Sequence, residues 1–208
     1  MAVIITDTPR RKSDFYPTPY GLCNYAMNTI IPSNFSPSRI LDPGAGEGRW
    51  GKFARGRWPL ARIEGLDIED YSHLTKKLYK AYTYYYSMCD YINSYYSRSI
   101  YDLVIGNPPF SLAEEFIRKS LSILKMGGYL LFLLKTDFLA GIKRQKGLWT
   151  FHPPKEVWVC SKRPSWNTPN NTRTDSNTYA IYLWQTGYYE EPIIKWLKWD
   201  YDKDLDYE

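Results

Sequence analysis

Residues Arg39–Asp42 (RILD) read as a short buried strand, and the chain runs from them straight into Pro43-Gly44-Ala45-Gly46-Glu47-Gly48. Three glycines at alternate positions let the backbone pass close to a ligand, because no side chain blocks the approach. Trp50–Arg57 behind the loop can be helical. A strand that turns through such a loop into a helix commits the chain to an α/β unit, with the loop at the strand's carboxyl end. By itself the loop suits a plain structural turn or a dinucleotide site.

The rhythm continues downstream. Arg62–Asp67 (RIEGLD) reads as a second strand, Leu74–Ala81 as a helix, and Thr83–Cys89 as a third strand. Tyr101–Gly106 (YDLVIG) is a fourth strand, and Ser111–Leu124 has apolar residues at helical spacing. Ser111 with Glu114 forms the pattern of a capping box, and Gly127-Gly128 is placed to stop that helix. Tyr129–Leu134 is a near-continuous apolar strand, as expected where both sheet faces are covered. Strand and helix alternating at this spacing imply a parallel α/β sheet. Glu156–Cys160 and Thr178–Trp184 are then strands with no clear helix between them, which predicts an antiparallel hairpin at the end of the sheet. Residues 1–189 read as one domain and 190–208 as an acidic tail.

Two further sites follow strand ends. Asp67 ends the second strand, 25 residues after Asp42, where an acid in a doubly wound sheet binds ribose hydroxyls. Asn107-Pro108-Pro109-Phe110 follows YDLVIG directly. Its prolines lack amide donors, so carbonyls are left to accept, and Asn107 adds a side-chain acceptor. The tetrapeptide offers acceptors and one aromatic face, which is what an exocyclic amine on a ring requires.

DPGAGEG, the acid at Asp67 and NPPF together resemble the amino methyltransferases with a class I, Rossmann-like fold, in particular the small phage and bacterial adenine-N6 DNA methyltransferases of gamma-like type. Asp14–Pro19 (DFYPTP) resembles the cofactor motif that precedes the glycine loop in that arrangement, and RPSW at Arg163–Trp166 resembles the end of such enzymes. The resemblance spans most of residues 14–185. It implies S-adenosylmethionine as cofactor, with Phe15, Pro17 and Thr18 at its methionine end, Asp42, Gly44 and Gly46 around it, Asp67 on the ribose, Ile68 against the adenine and Asp90 on the adenine amino group. It implies Asn107, Pro108, Pro109 and Phe110 as the catalytic residues. Where larger relatives carry a recognition domain, only about twenty residues follow the last expected strand, so sequence reading falls to loops or to a partner subunit.

The net charge of +5 divides unevenly: residues 190–208 carry −4 and the rest +9, which suits a polyanionic partner. Two loops are the candidate contacts: Thr136–Thr150, with Lys143, Arg144 and Lys146, and Ser161–Asn177, with Lys162 and Arg163. Nine tyrosines between Tyr79 and Tyr101 suit strand packing, with base stacking as the alternative. Cys23, Cys89 and Cys160 are far apart and His73 and His152 stand alone, so neither a disulfide framework nor a metal site is expected. The start of the chain lacks the pattern of a secretory signal and no apolar run approaches a membrane span, so a cytoplasmic location is expected. DNA is the expected substrate. RNA adenine, a protein glutamine amide, or a non-catalytic nucleic-acid-binding role are the alternatives.

Overall fold

The computed structural model describes residues 16–73, 75, 84–164, 166 and 177–199. Eight strands form one sheet: β1 (Arg39–Asp42), β2 (Arg62–Asp67), β3 (Tyr84–Met88), β4 (Tyr101–Gly106), β5 (Leu124–Lys135), β6 (Glu156–Cys160), β7 (Tyr179–Gln185) and β8 (Ile193–Leu197). Their order is β3-β2-β1-β4-β5-β7-β6-β8. Only β7 is reversed, lying antiparallel between β5 and β6, while β8 runs parallel to β6. This is a mixed α/β, Rossmann-like fold, with the expected antiparallel pairing between β6 and β7.

Alternation along the central strands divides the core in two. Leu103, Ile105, Leu131 and Leu133 face one layer with α1 (Tyr20–Ile30) and α2 (Arg49–Arg57). Val104, Leu130, Phe132 and Leu134 face the other layer with α3 (Ala113–Ile123). Both faces are covered, which is why these strands read as continuous apolar runs. At the opposite end from the glycine loop, Asp102 accepts from the Ser38 and Arg39 amides at 2.9 and 2.8 Å and from Lys125 at 2.7 Å, pinning the start of β1.

The structure corrects three details. Ser111 does not cap α3: a 3₁₀ turn, Phe110–Leu112, leads into the helix, and its N-cap residue Leu112 makes no side-chain bond. Gly127 and Gly128 do not stop it either. The helix ends at Ile123 and β5 starts at once, so both glycines lie in the strand, near where its pairing with β4 shifts register. Residues 193–197, read as part of the tail, form edge strand β8, held to β6 in part by Lys195 on Glu156 at 2.7 Å. Ile193, Ile194 and Trp196 are all exposed, so this strand carries no alternating burial signal. The helix expected over Leu74–Ala81 lies largely outside the described residues. Among the described residues no helix is long and apolar enough to cross a membrane.

Candidate active site

The chain leaves β1 toward β2 and β3, then returns to place β4 on the other side of β1. That reversal opens a crevice at the carboxyl ends of the strands. A cleft of about 270 Å³ lies there, built from the glycine loop, Asp67 at the end of β2 and Ile68 after it, Asp90 after β3, and Asn107 and Pro109 after β4. The two signature loops touch: a Cβ on Gly44 would stand 3.8 Å from the Asn107 carbonyl oxygen and from Pro108 Cα. That is ordinary van der Waals contact, so the approach of the second loop leaves room for a methyl group at Gly44.

Asp67 braces the glycine loop from below, accepting from the Gly46 amide at 2.9 Å and from the Glu69 amide at 3.1 Å. Burial pushes its pKa up, and the amides of Glu69, Gly46 and Ile68 oppose the rise. Ile68 is 61% exposed although it lines the cleft, an apolar surface available to a flat ring. Asp90 accepts from Asn93 Nδ2 at 2.7 Å and from its amide at 3.2 Å, and these bonds lower its pKa.

Asn107 is held across the chain. Its Nδ2 donates to the Tyr16 carbonyl at 2.7 Å, while its Oδ1 is buried with no hydrogen-bond partner among the described residues. Phe110 packs in an aromatic group, with Tyr16 stacked on it at 5.8 Å, Tyr179 at 5.6 Å and Trp166 at 6.4 Å, and Lys135 Nζ over its ring at 5.5 Å.

Of the residues expected around a cofactor, Pro17, Thr18, Gly44, Gly46, Asp67, Ile68 and Asp90 line the cleft. Phe15 lies outside the described residues. Asp42 does not reach the cleft surface. It is fully buried beneath the loop, and burial and then the charge of Asp67 push its pKa well up, offset in part by the Gly44 amide. Among the described residues, neither of its oxygens has a well-formed hydrogen bond. Thr18 is buried and anchored, accepting from Trp50 Nε1 at 3.2 Å through its hydroxyl and from Arg49 Nη1 at 3.1 Å through its carbonyl. Pro108 is buried behind the cleft. Phe110 borders a second hollow of about 330 Å³, with Glu114, Arg118, Phe138 and Arg144.

The expected nucleic-acid contacts divide. Lys143 and Lys146 are exposed on short helical turns between Ile142 and Trp149, and Lys162 and Arg163 are exposed beyond β6. Arg144 is instead engaged with its own loop, donating to the Phe138 carbonyl at 2.7 Å and to that of Ala140, with its guanidinium 4.5 Å over the Phe138 ring. Most of the Ser161–Asn177 loop lies outside the described residues. Sequence reading missed Tyr16, Glu47, Arg49 and Tyr71, all of which line the cleft. Glu47 and Arg49 stand inside and directly after the glycine motif, so a search of its non-glycine positions for charge would have found them.

The sequence matches no family model and no curated protein. Its fold is shared with solved methyltransferases of several chemistries. A predicted O-methyltransferase from Agrobacterium tumefaciens is 17% identical over 86% of this chain and 85% of its own, with a TM-score of 0.63. The N-methyltransferase NodS from Bradyrhizobium japonicum, solved with S-adenosyl-L-homocysteine, is 12% identical over 81% and 84%, with a TM-score of 0.56. The methyltransferase subunit of a type I restriction-modification system from Streptococcus thermophilus is 12% identical over 84% of this chain, which spans 45% of that subunit, with a TM-score of 0.63.

Proposed function

We propose that this chain transfers a methyl group from S-adenosylmethionine to the exocyclic amino nitrogen of adenine in DNA. The observation that carries the reading is Asn107: its NH₂ is engaged by the Tyr16 carbonyl, and its buried Oδ1 lacks a donor among the described residues. A buried acceptor without a partner costs roughly 1–3 kcal/mol, which a substrate N–H would relieve. The cleft also fits the cofactor. It joins a close-approach glycine loop, a carboxylate at the end of β2, an exposed apolar side chain and a second carboxylate after β3, the groups that suit a ribose diol, an adenine face and an adenine amine.

Bound there, S-adenosylmethionine would supply an electrophilic methyl group on a positively charged sulfur. The protein's part is to prepare the nitrogen, whose lone pair is delocalised into the base. Asn107 Oδ1 takes one N–H and the Pro108 carbonyl the other, which favours a pyramidal nitrogen with its lone pair directed at the methyl. Phe110 supports the base by stacking. Transfer exchanges the methyl's bond to sulfur for one to nitrogen, and the methylated, now acidic nitrogen sheds its proton to water, so positioning and preorganised acceptors supply the rate with no strong base in the scheme. A base in duplex DNA must first leave the stack, at a cost of a few kcal/mol.

DNA is favoured by the resemblance of NPPF and RPSW, by the +9 charge of residues 1–189, and by the exposed Lys143, Lys146, Lys162 and Arg163. The likeness to a restriction-modification methyltransferase subunit accords with it, and with sequence choice residing on a partner subunit. The test is incubation with methyl-labelled S-adenosylmethionine and DNA, RNA or protein, followed by digestion. Label in N6-methyladenine from DNA is expected. Label in RNA adenine or in glutamine would move the substrate and keep the amino chemistry. Cofactor binding without transfer to any of them would favour a non-catalytic binding role.

A further inference from the structure

The cleft is acidic with one exception. Among the described residues that line it, Glu47, Asp67 and Asp90 are the acids and Arg49 is the one cation. Arg49 opens α2, and its Nε and Nη2 donate to Glu47 Oε2 at 3.0 and 2.9 Å. Its Nη1 donates to the Thr18 carbonyl at 3.1 Å, and the guanidinium lies 4.5 Å over the Tyr20 ring. Both charged side chains are mostly shielded, 20% exposed for Arg49 and 26% for Glu47. These contacts commit three of the guanidinium's five N–H donors and hold its plane fixed, so the remaining two are presented without further loss of freedom.

We propose that Arg49 and Glu47 form the receptor for the amino-acid end of the cofactor, Arg49 taking the α-carboxylate and Glu47 the α-ammonium. The proposal rests on the reading of the cleft as an S-adenosylmethionine site. That cofactor carries positive charge at the sulfonium and the ammonium and one negative charge at the carboxylate. Glu47 and Arg49 offer one acid and one base side by side, which matches the ammonium and carboxylate of the amino-acid end. The positions agree too. Asp67 ends β2 and Asp90 follows β3, on the half assigned to ribose and adenine, whereas Glu47 and Arg49 lie by Thr18 and the start of α2. A zwitterion entering there adds its carboxylate to the uncommitted N–H donors of Arg49 and its ammonium to Glu47, with the ion pair between them kept, so neither charge is left buried alone. The consequence is selectivity: the cleft distinguishes the full cofactor from nucleoside thioethers that share its adenosine half.

The rival view is that Arg49 only ties α2 to the segment around Thr18. Calorimetric titration with two ligands separates the two: S-adenosylhomocysteine, which has the amino-acid end, and 5′-methylthioadenosine, which lacks it. Arg49→Met is expected to weaken S-adenosylhomocysteine by about tenfold or more while methylthioadenosine stays within about twofold, since only the former loses a charge-assisted contact. Retained methylthioadenosine binding also shows that the cleft is still folded. Glu47→Gln, which leaves the side-chain shape, should show the same selectivity in smaller degree, and decides the matter if Arg49→Met does not fold. Equal weakening of both ligands, or of neither, overturns the proposal. A wild-type chain that binds neither ligand overturns the cofactor reading itself, and this assignment with it.

Discussion

Gly106 and Asp42 stand so close that a side chain at Gly106 has no room: its Cβ would lie 2.9 Å from Asp42 Oδ1. Gly106 also has φ of +153°, a conformation that side-chain-bearing residues rarely adopt. Gly106→Ala is therefore expected to cost about 1–3 kcal/mol, read as a lower urea midpoint. Adding Asp42→Ala should restore part of the loss by removing the contact, leaving the backbone strain. An unchanged midpoint in the single variant would show that the two strand ends are not tightly set.

The same aspartate gives stability a dependence on pH. Burial and then the charge of Asp67 raise its pKa well above its ordinary value in the folded chain, while the unfolded chain loses that proton near pH ~3.9. Its contribution is thus fully present below that pH and is lost as pH rises through the folded value. Asp42→Asn mimics the neutral acid, so its melting temperature relative to wild type should climb across that window and level off above it. Parallel melting curves from pH 4 upward would mean that Asp42 ionises normally.

Asp67 titrates in the other sense with respect to a cationic ligand. Burial first raises its pKa, so S-adenosylmethionine affinity should increase with pH as the carboxylate forms. Asp67→Asn should flatten this dependence and weaken binding by about tenfold at neutral pH, with loss of the charge-assisted ribose contact. Calorimetry at two pH values is the check. Unchanged affinity would leave Asp67 as a brace for Gly46 and Glu69 alone.

Asn107→Ala removes the unpartnered acceptor. Methyl transfer should fall by about 100-fold or more with near-normal cofactor affinity, as expected when a transition-state contact is lost. Single-turnover rates beside equilibrium titration separate the two quantities, and activity within a few-fold of wild type removes Asn107 from the mechanism.

On DNA, Lys143 and Lys146 are exposed, whereas Arg144 is bound to the Phe138 and Ala140 carbonyls. Replacing both lysines with alanine should flatten the log–log salt dependence of duplex binding by about two, near 0.9 per phosphate contact. Arg144→Ala should instead lower the melting temperature. A double lysine variant with the wild-type slope would move the DNA path elsewhere on the +9 portion, and Arg10, Arg11 and Lys12 would be the next residues to replace.

Much of this architecture was legible in the chain because it depends on buried runs. β1, β2, β4 and β6 have the bounds that their apolar content indicates, and the glycine loop, Asp67 and NPPF stand at their carboxyl ends as the strand–loop pattern requires. What escaped depends on long-range contacts or on exposure. Asn107 is oriented by a carbonyl 91 positions upstream, and a backbone oxygen leaves no mark in residue type. Arg144 looks in sequence like any other loop cation, and its bonds to the Phe138 and Ala140 carbonyls depend on a local coil that composition does not encode. β8 pairs on one side only and exposes its apolar residues, so the period-two signal is missing there.

The reversed strand also orders the making of the sheet. β6 is synthesised before β7, yet among the described strands it pairs with β7 and β8 and with nothing earlier in the chain. During translation, a nascent chain that has emerged only through Cys160 therefore holds β6 as a strand without a sheet, and leaves the β5 edge bare. Closure waits for Tyr179–Gln185 to enter the slot between them. Until it does, the β5 edge offers unpaired backbone groups to other chains, so Tyr179–Gln185 is the segment that protects the earlier strands from pairing between molecules.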